Sequence, residues 1–151
     1  MRRPREVPAA EPEAKPLWSG AALDCRVLLA EDSPDNQELV SFVLSKAGAQ
    51  VSLANDGAQA VEMAMTALAA GRPFDVIVMD MQMPVLDGYG AASRLRALDY
   101  PGSIIALTAH AMSDDLQKSI AAGCDAYAIK PIDGALVELI ARHAARAPVS
   151  A

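Results

Sequence analysis

Asp80 closes a short apolar run, Val76-Ile77-Val78-Met79, and is followed by Met81-Gln82-Met83-Pro84-Val85-Leu86-Asp87-Gly88. A carboxylate placed straight after such a run sits at the mouth of a buried strand rather than in open solvent. Upstream, Arg26-Val27-Leu28-Leu29-Ala30 ends in the paired acids Glu31-Asp32. Downstream, Ile104-Ile105-Ala106-Leu107 ends in Thr108, and Ala126-Tyr127-Ala128-Ile129 ends in Lys130-Pro131. Each run delivers a polar group at its C-terminal end, which is where an open parallel α/β sheet binds its ligands. Three acids, a hydroxyl and an amine gathered there suit a divalent cation and a phosphoryl group. Mg²⁺ prefers octahedral oxygen coordination and retains waters, so few protein carboxylates suffice. Asp32 and Asp80 can be direct ligands, and Glu31 can bind directly or through a water. Asp80 is then placed to attack phosphorus as a carboxylate nucleophile. The Lys130 ammonium supplies further positive charge, while the Thr108 hydroxyl and the Ala109 backbone N–H can donate to phosphoryl oxygens.

The elements that must carry these groups alternate along the chain. Strand 25–30 is followed by Ser33-Pro34, an N-cap residue and a first-position proline. The helix after it shows Leu39, Val40, Val43, Leu44 and Ala47 on one face and stops at Gly48. Strand 51–54, the turn Asn55-Asp56-Gly57 and an Ala-rich helix over about 58–70 come next, ending at Gly71 with Pro73 beyond. Strand 74–79 leads to Asp80, and Asp87-Gly88 opens a helix presenting Ala91, Ala92 and Leu95. Pro101-Gly102 precedes strand 103–107, and Ser113-Asp114-Asp115 supplies an N-cap and first-turn acids to a helix ending at Gly123. Strand 126–129 and a helix over about 133–145 complete the pattern. Repeated β-α units imply an α/β fold, a parallel sheet covered on both faces with right-handed crossovers.

Composition sets the limits. The 151 residues fit one domain with some extra length, and 52% hydrophobic residues can fill a core. Aromatics are only 4%, so Ala, Leu, Val, Ile and Met must do the packing. Residues 1–24 hold four of the ten prolines and carry four basic and four acidic side chains, a composition that reads as a tail or linker. Leu17 and Trp18 stand out within it, able to dock on the domain or to mark a junction with something upstream. The whole net charge of -6 lies in residues 25–151, which argues against nucleic acid as a direct partner. Cys25 and Cys124 form no CxxC pair and read as buried or incidental thiols of a reducing compartment, not as a disulfide framework or metal knuckle. No apolar run approaches the ~18–20 residues that span a bilayer, so no membrane contact and a cytoplasmic location are expected. The domain is expected over 25–146, with 147–151 as a short tail.

Five motifs in order now carry a resemblance: Leu29-Ala30-Glu31-Asp32, Met79-Asp80, Met83-Pro84-Val85-Leu86-Asp87-Gly88, Leu107-Thr108-Ala109 and Lys130-Pro131. Each alone is weak, but all five at strand ends of a five-fold β-α chain are specific. Over about residues 25–145 the chain resembles the receiver domain of two-component response regulators. The wording of Met79–Pro84, of Ala109-His110-Ala111-Met112 and of Ala122-Gly123-Cys124-Asp125 is most similar to receivers of hybrid sensor histidine kinases. The resemblance implies a five-stranded parallel sheet in a (βα)5 flavodoxin-like, doubly wound fold, with strand order 2-1-3-4-5. It implies Mg²⁺, or Mn²⁺ in its place, and adds the Gln82 backbone carbonyl to the metal ligands. It makes Thr108, Ala109 and Lys130 the phosphate-binding groups, Thr108 and Tyr127 a switch pair, and the Lys130-Pro131 peptide cis. The partner is then a histidine kinase or histidine phosphotransfer domain, and the chain is a phosphoacceptor rather than an enzyme in its own right.

Blander readings stand beside these. Taken alone, Glu31-Asp32 could be solvated acids, Thr108 an idle strand-end residue, Tyr127 an ordinary core aromatic and Asp87-Gly88 a helix start. His110 reads as a solvent-side loop residue, His143 as a surface residue of the last helix, and the methionines as core. A haloacid-dehalogenase-like phosphatase also uses a strand-end Asp, but it needs a second Asp where Gln82 stands. A flavodoxin-like cofactor binder would want a hydroxyl- and Gly-rich loop after the first strand, where Glu31-Asp32 would repel phosphate. A receiver-like domain that only binds proteins would not need the full acidic and lysine set.

Overall fold

A computed structural model describes residues 23–109, 113–130 and 134–146. The expectations attached to residues 1–22, His110, Ala111, Met112, Pro131 and 147–151 lie outside the described residues. Five β-α units follow one another: β1 Arg26–Ala30, α1 Pro34–Lys46, β2 Gln50–Ala54, α2 Gly57–Ala69, β3 Val76–Asp80, α3 Gly88–Ala97, β4 Ser103–Thr108, α4 Ser113–Ala122, β5 Ala126–Ile129 and α5 Gly134–Arg146. The strands form one parallel sheet in the order β2-β1-β3-β4-β5, so the sequence expectation holds.

Side-chain alternation divides the core between the two faces of the sheet. Val27, Leu29, Val76, Val78, Ile105 and Leu107 pack against Val40 and Leu44 of α1 and Leu136, Val137 and Ile140 of α5. Leu28, Ile77, Met79, Ile104 and Ala106 pack against Ala60 and Ala64 of α2 and Ala91, Ala92 and Leu95 of α3. Both faces are covered, which is why the β1, β3 and β4 runs are apolar at almost every position. Met79, Met81 and Met83 are buried, as expected of the methionines there.

Helix starts follow their caps. Ser33 Oγ accepts from the Asn36 N–H, Asp56 Oδ1 from Gln59 N–H and Asp87 Oδ1 from Gly90 N–H. The turn acid Asp56 is therefore the α2 cap itself. Cys25 and Cys124 are free and buried, and burial raises their thiol pKa to about 11 and about 12.

Two expectations change. Leu39 is 49% exposed, because the buried stripe of α1 narrows to Val40 and Leu44 with Val43 and Ala47 beside it. His143 is buried, 6% exposed, although its polarity suggested the surface. It lies three residues beyond Ile140 and seven beyond Leu136, on the stripe that α5 turns to the sheet.

Candidate phosphoacceptor site

Register brings the strand-end groups together. Ala30 pairs with Met79, so β1 stops one residue short of Asp80 and its next residues, Glu31 and Asp32, turn over the end of β3. On the other side Asp80 pairs with Leu107, which places Thr108 one residue further along β4. Thr108 pairs with Ile129, and its carbonyl accepts the Lys130 N–H at 2.8 Å. That bond fixes the stem of Lys130 at the same end of the sheet.

Carboxylate oxygens of Glu31, Asp32 and Asp80 all lie within 4.8 Å of one another. Glu31 and Asp80 are 1% and 5% exposed, while Asp32 is open to solvent. Lys130 Nζ stands 3.4 Å from both Glu31 Oε1 and Asp80 Oδ2. One ammonium thus pairs with two of the three clustered carboxylates, a deficit of positive charge at a partly buried site. Burial pushes the Glu31 carboxyl above its ordinary range. The Asp80 charge adds to the rise, whereas the Ser33 N–H bond, the Lys130 ammonium and Asn36 oppose it. The reading of Glu31 as a solvated acid fails on this burial.

Backbone groups hold the acids in place. Ser33 N–H donates to Glu31 Oε2 at 3.1 Å, and Gln82 N–H donates to Asp80 Oδ1 at 3.2 Å. Gln37 Nε2 donates to the Glu31 carbonyl at 2.6 Å and to Asn55 Oδ1 at 2.8 Å, bridging the ends of β1 and β2. Sequence reasoning passed over Gln37, whose only signal was a polar side chain one turn past the Ser33 cap.

The loop after Asp80 is held by close backbone approach. A Cβ on Gly88 would lie 2.4 Å from the Asp80 carbonyl oxygen, and one on Gly57 would lie 2.1 Å from the Leu86 carbonyl oxygen. The missing side chains let Gly88 N–H bond Met81 O at 3.2 Å and Gly57 N–H bond Leu86 O at 3.0 Å. Between them Val85 adopts φ 69° and is 82% exposed.

Thr108 and Tyr127 share a face of the sheet. Tyr127 pairs with Ala106, two residues before Thr108, so all three have the same parity. Thr108 is 4% exposed and Tyr127 is 38% exposed, so Tyr127 is not a core aromatic. Ala109 is exposed at the end of β4.

Hard oxygen donors clustered at this spacing fit Mg²⁺, which takes one or two carboxylates and completes its shell with water and phosphate oxygens. Residues 27–142 match the response regulator receiver domain family. The chain belongs to that family. The receiver is 44% identical over 120 residues to a probable histidine kinase 2 of Oryza sativa subsp. indica, covering 71% of this chain and 12% of that protein. It therefore spans about an eighth of that relative's length. The receiver domain of the sensor histidine kinase PA1611 from Pseudomonas aeruginosa PAO1 superposes with a TM-score of 0.72 at 37% identity. The match covers 80% of this chain and 98% of that one, and that structure has a magnesium ion coordinated in its active site cleft. The receiver domain of Ssk1, solved with the Saccharomyces cerevisiae histidine phosphotransfer protein Ypd1, gives a TM-score of 0.73 at 30% identity over 84% of this chain and 94% of that chain. The receiver is thus a module of the phosphorelay class. Among the described residues no helix is long and apolar enough to cross a membrane.

Proposed function

We propose that this receiver takes a phosphoryl group from a phosphohistidine onto Asp80 and that the acyl phosphate reshapes a protein-binding surface. The observation carrying this reading is the convergence of the Glu31, Asp32 and Asp80 carboxylates with the Lys130 ammonium. In the transfer an Asp80 carboxylate oxygen forms a bond to phosphorus, the P–N bond breaks, and the imidazole leaves with that electron pair. Asp32, Asp80, the Gln82 carbonyl and Glu31, directly or through water, would hold Mg²⁺, or Mn²⁺ in its place, which would supply charge neutralisation at the phosphoryl oxygens. Lys130 draws its ammonium from the carboxylates toward the incoming phosphoryl, and Thr108 Oγ and Ala109 N–H donate to its remaining oxygens. Thr108 moves in making that bond, and Tyr127, on the same face of the sheet, turns into the space released. A ligand shifts such an equilibrium only through differential contacts, and Thr108 supplies them.

The partner in this reading is a histidine kinase or histidine phosphotransfer domain, and the location is cytoplasmic. Chemistry in the isolated chain is limited to its own phosphorylation and dephosphorylation. The domain occupies residues 25–146 between tails 1–24 and 147–151, and it belongs to a hybrid kinase. A haloacid-dehalogenase-like activity is disfavoured because Gln82 stands where the general acid is needed. The test is intact mass after incubation with Mg²⁺ and a small acyl-phosphate donor. Wild type gains one base-labile phosphoryl group and Asp80→Asn gains none. Equal labelling of both proteins overturns the assignment.

A further inference from the structure

At the open edge of the sheet α1 carries an exposed Phe42 among polar residues, with Lys46 Nζ 5.7 Å from the centre of its ring. Among the described residues β2 has a hydrogen-bonded strand on one side only. Between that edge and α1 runs a groove of about 560 Å³ lined by Ser41, Phe42, Ser45 and Leu53, with Pro34, Gln37 and the acidic Glu38 beside them. Phe42 is 62% exposed and Leu53 is 42% exposed, so two large apolar side chains face water side by side. Ser41 Oγ is buried and has no hydrogen-bond partner among the described residues.

We propose that Leu17 and Trp18 of this same chain dock in that groove. The place where the described chain begins supports this occupant. Leu23 N–H donates to the Ala47 carbonyl at 2.7 Å, and Leu23 packs against the α1–α5 core. Ser45, in the groove wall, is two residues before Ala47 but on the other side of α1, so the described chain begins within about one helical turn of the groove along the axis. From Leu23 back to Trp18 an extended chain reaches up to ~17 Å. The climb along α1 from Ala47 to Phe42 is ~7.5 Å, and passing round the ~10 Å wide helix still leaves the path within that reach. Trp18 is the sole aromatic of residues 1–24, and Leu17 is its immediate neighbour. Pro16 just before them restricts the backbone and lowers the entropy lost on ordering. A buried indole N–H seeks an acceptor, and Ser41 Oγ can accept at the groove, where it has no partner among the described residues. A short tether also gives the segment a high effective concentration at the groove, which a separate partner would have to overcome.

Trp18 is the chain's one tryptophan, so its fluorescence reports the docking directly and involves no phosphoryl chemistry. In the full chain the emission is expected to be blue-shifted relative to the urea-unfolded protein and several-fold protected from acrylamide. Phe42→Ser and Leu53→Ser each return both readings to the unfolded level. Both positions are exposed, and circular dichroism with thermal melting checks that each variant stays folded, so either variant decides the matter if the other fails. A solvent-like emission in wild type overturns the proposal. So does a blue shift that survives both substitutions, which would place the indole elsewhere. A blue shift lost on dilution in step with dissociation of a dimer overturns it in favour of a second copy as occupant.

Discussion

The two ends of the sheet treat their aspartates in opposite ways. At the N-terminal end, Asp75 precedes β3 and Asp125 precedes β5. Asp75 donates its N–H to the Arg26 carbonyl and accepts the Arg26 N–H on Oδ2, both at 2.8 Å. Asp125 repeats the pattern with Ile104, again at 2.8 Å for both bonds. Each carboxylate closes the first rung of a neighbouring strand. Arg96 adds to the second bracket, bonding Asp125 Oδ2, the Gly123 carbonyl and the Tyr100 and Gly102 carbonyls. At the C-terminal end, Glu31, Asp32 and Asp80 bring carboxylate oxygens within 4.8 Å of one another, with Lys130 3.4 Å from Glu31 and Asp80. One end uses acids to finish the ladder, and the other leaves their charge only partly compensated, for a ligand to meet. The bonds that finish the ladder and the proposed acceptor site are therefore housed some five residues apart on the same strands.

The comparison breaks most visibly by exchanging one aspartate from each end. Asp80→Asn is expected to lose all phosphoryl labelling while melting no lower than wild type in metal-free buffer, because it removes repulsion. Asp125→Ala is expected to keep its labelling and lose about 2 kcal/mol in urea titration with an unchanged slope, since the buried Ile104 N–H is orphaned. The half-exposed Arg96 pair adds less than ~1 kcal/mol to that. A destabilised Asp80→Asn or an unlabelled Asp125→Ala would dissolve the division.

Metal should act on one end alone. Each close carboxylate pair costs on the order of 1 kcal/mol even at water-like dielectric. Millimolar Mg²⁺ is expected to raise the melting temperature of wild type and of Asp125→Ala by similar amounts, and that of Asp32→Ala hardly at all. An unchanged wild type would show that the carboxylates do not form the cation site.

Protonation refines the same contrast. Burial raises the Glu31 carboxyl, with Asp80 adding to it, so the folded metal-free protein holds that proton more tightly than the unfolded chain does. The resulting stabilisation is complete below the unfolded carboxylate pKa and is lost as pH rises through the higher folded value. Glu31→Gln should flatten this fall, read from urea midpoints across the acidic range, and a slope unchanged in the variant would assign it to another group. The smallest effect is expected at Val85, a β-branched residue at φ 69° on the rim of the site. Val85→Asn should gain about 1 kcal/mol, because Asn tolerates that conformation. A loss on that substitution would mean that the valine side chain has packing that its exposure hides.

The sequence made the active end legible and the opposite end obscure, for a physical reason. Apolar runs ending in Glu31-Asp32, Asp80, Thr108 and Lys130 announce themselves because a polar residue interrupts hydrophobicity at a strand boundary. Ser33 and Asp87 could be read as helix starts because a cap acts within its own first turn. Asp75 and Asp125 act across strands, on residues 49 and 21 positions away, so their role needs the register. Gln37 escaped notice for the same reason, its acceptors being Glu31 O and Asn55 Oδ1 on separate strand ends. His143 was misjudged by residue type, although its spacing from Leu136 and Ile140 placed it on the buried stripe of α5.

The pairs of glycines and carbonyls around the β3–α3 loop have a kinetic consequence. Gly57 N–H on Leu86 O and Gly88 N–H on Met81 O secure the loop at its far end, against α2 and against the strand exit. Val85, mostly solvent-exposed, is the tip. Hydrogen–deuterium exchange should therefore divide within four residues, fast at Val85 and slow at Gly88, because local opening costs little where few contacts are lost. A protein docking over this loop could remould the tip on its own surface while the backbone under Asp80 stays shut, so recognition and the aim of the proposed acceptor need not compete.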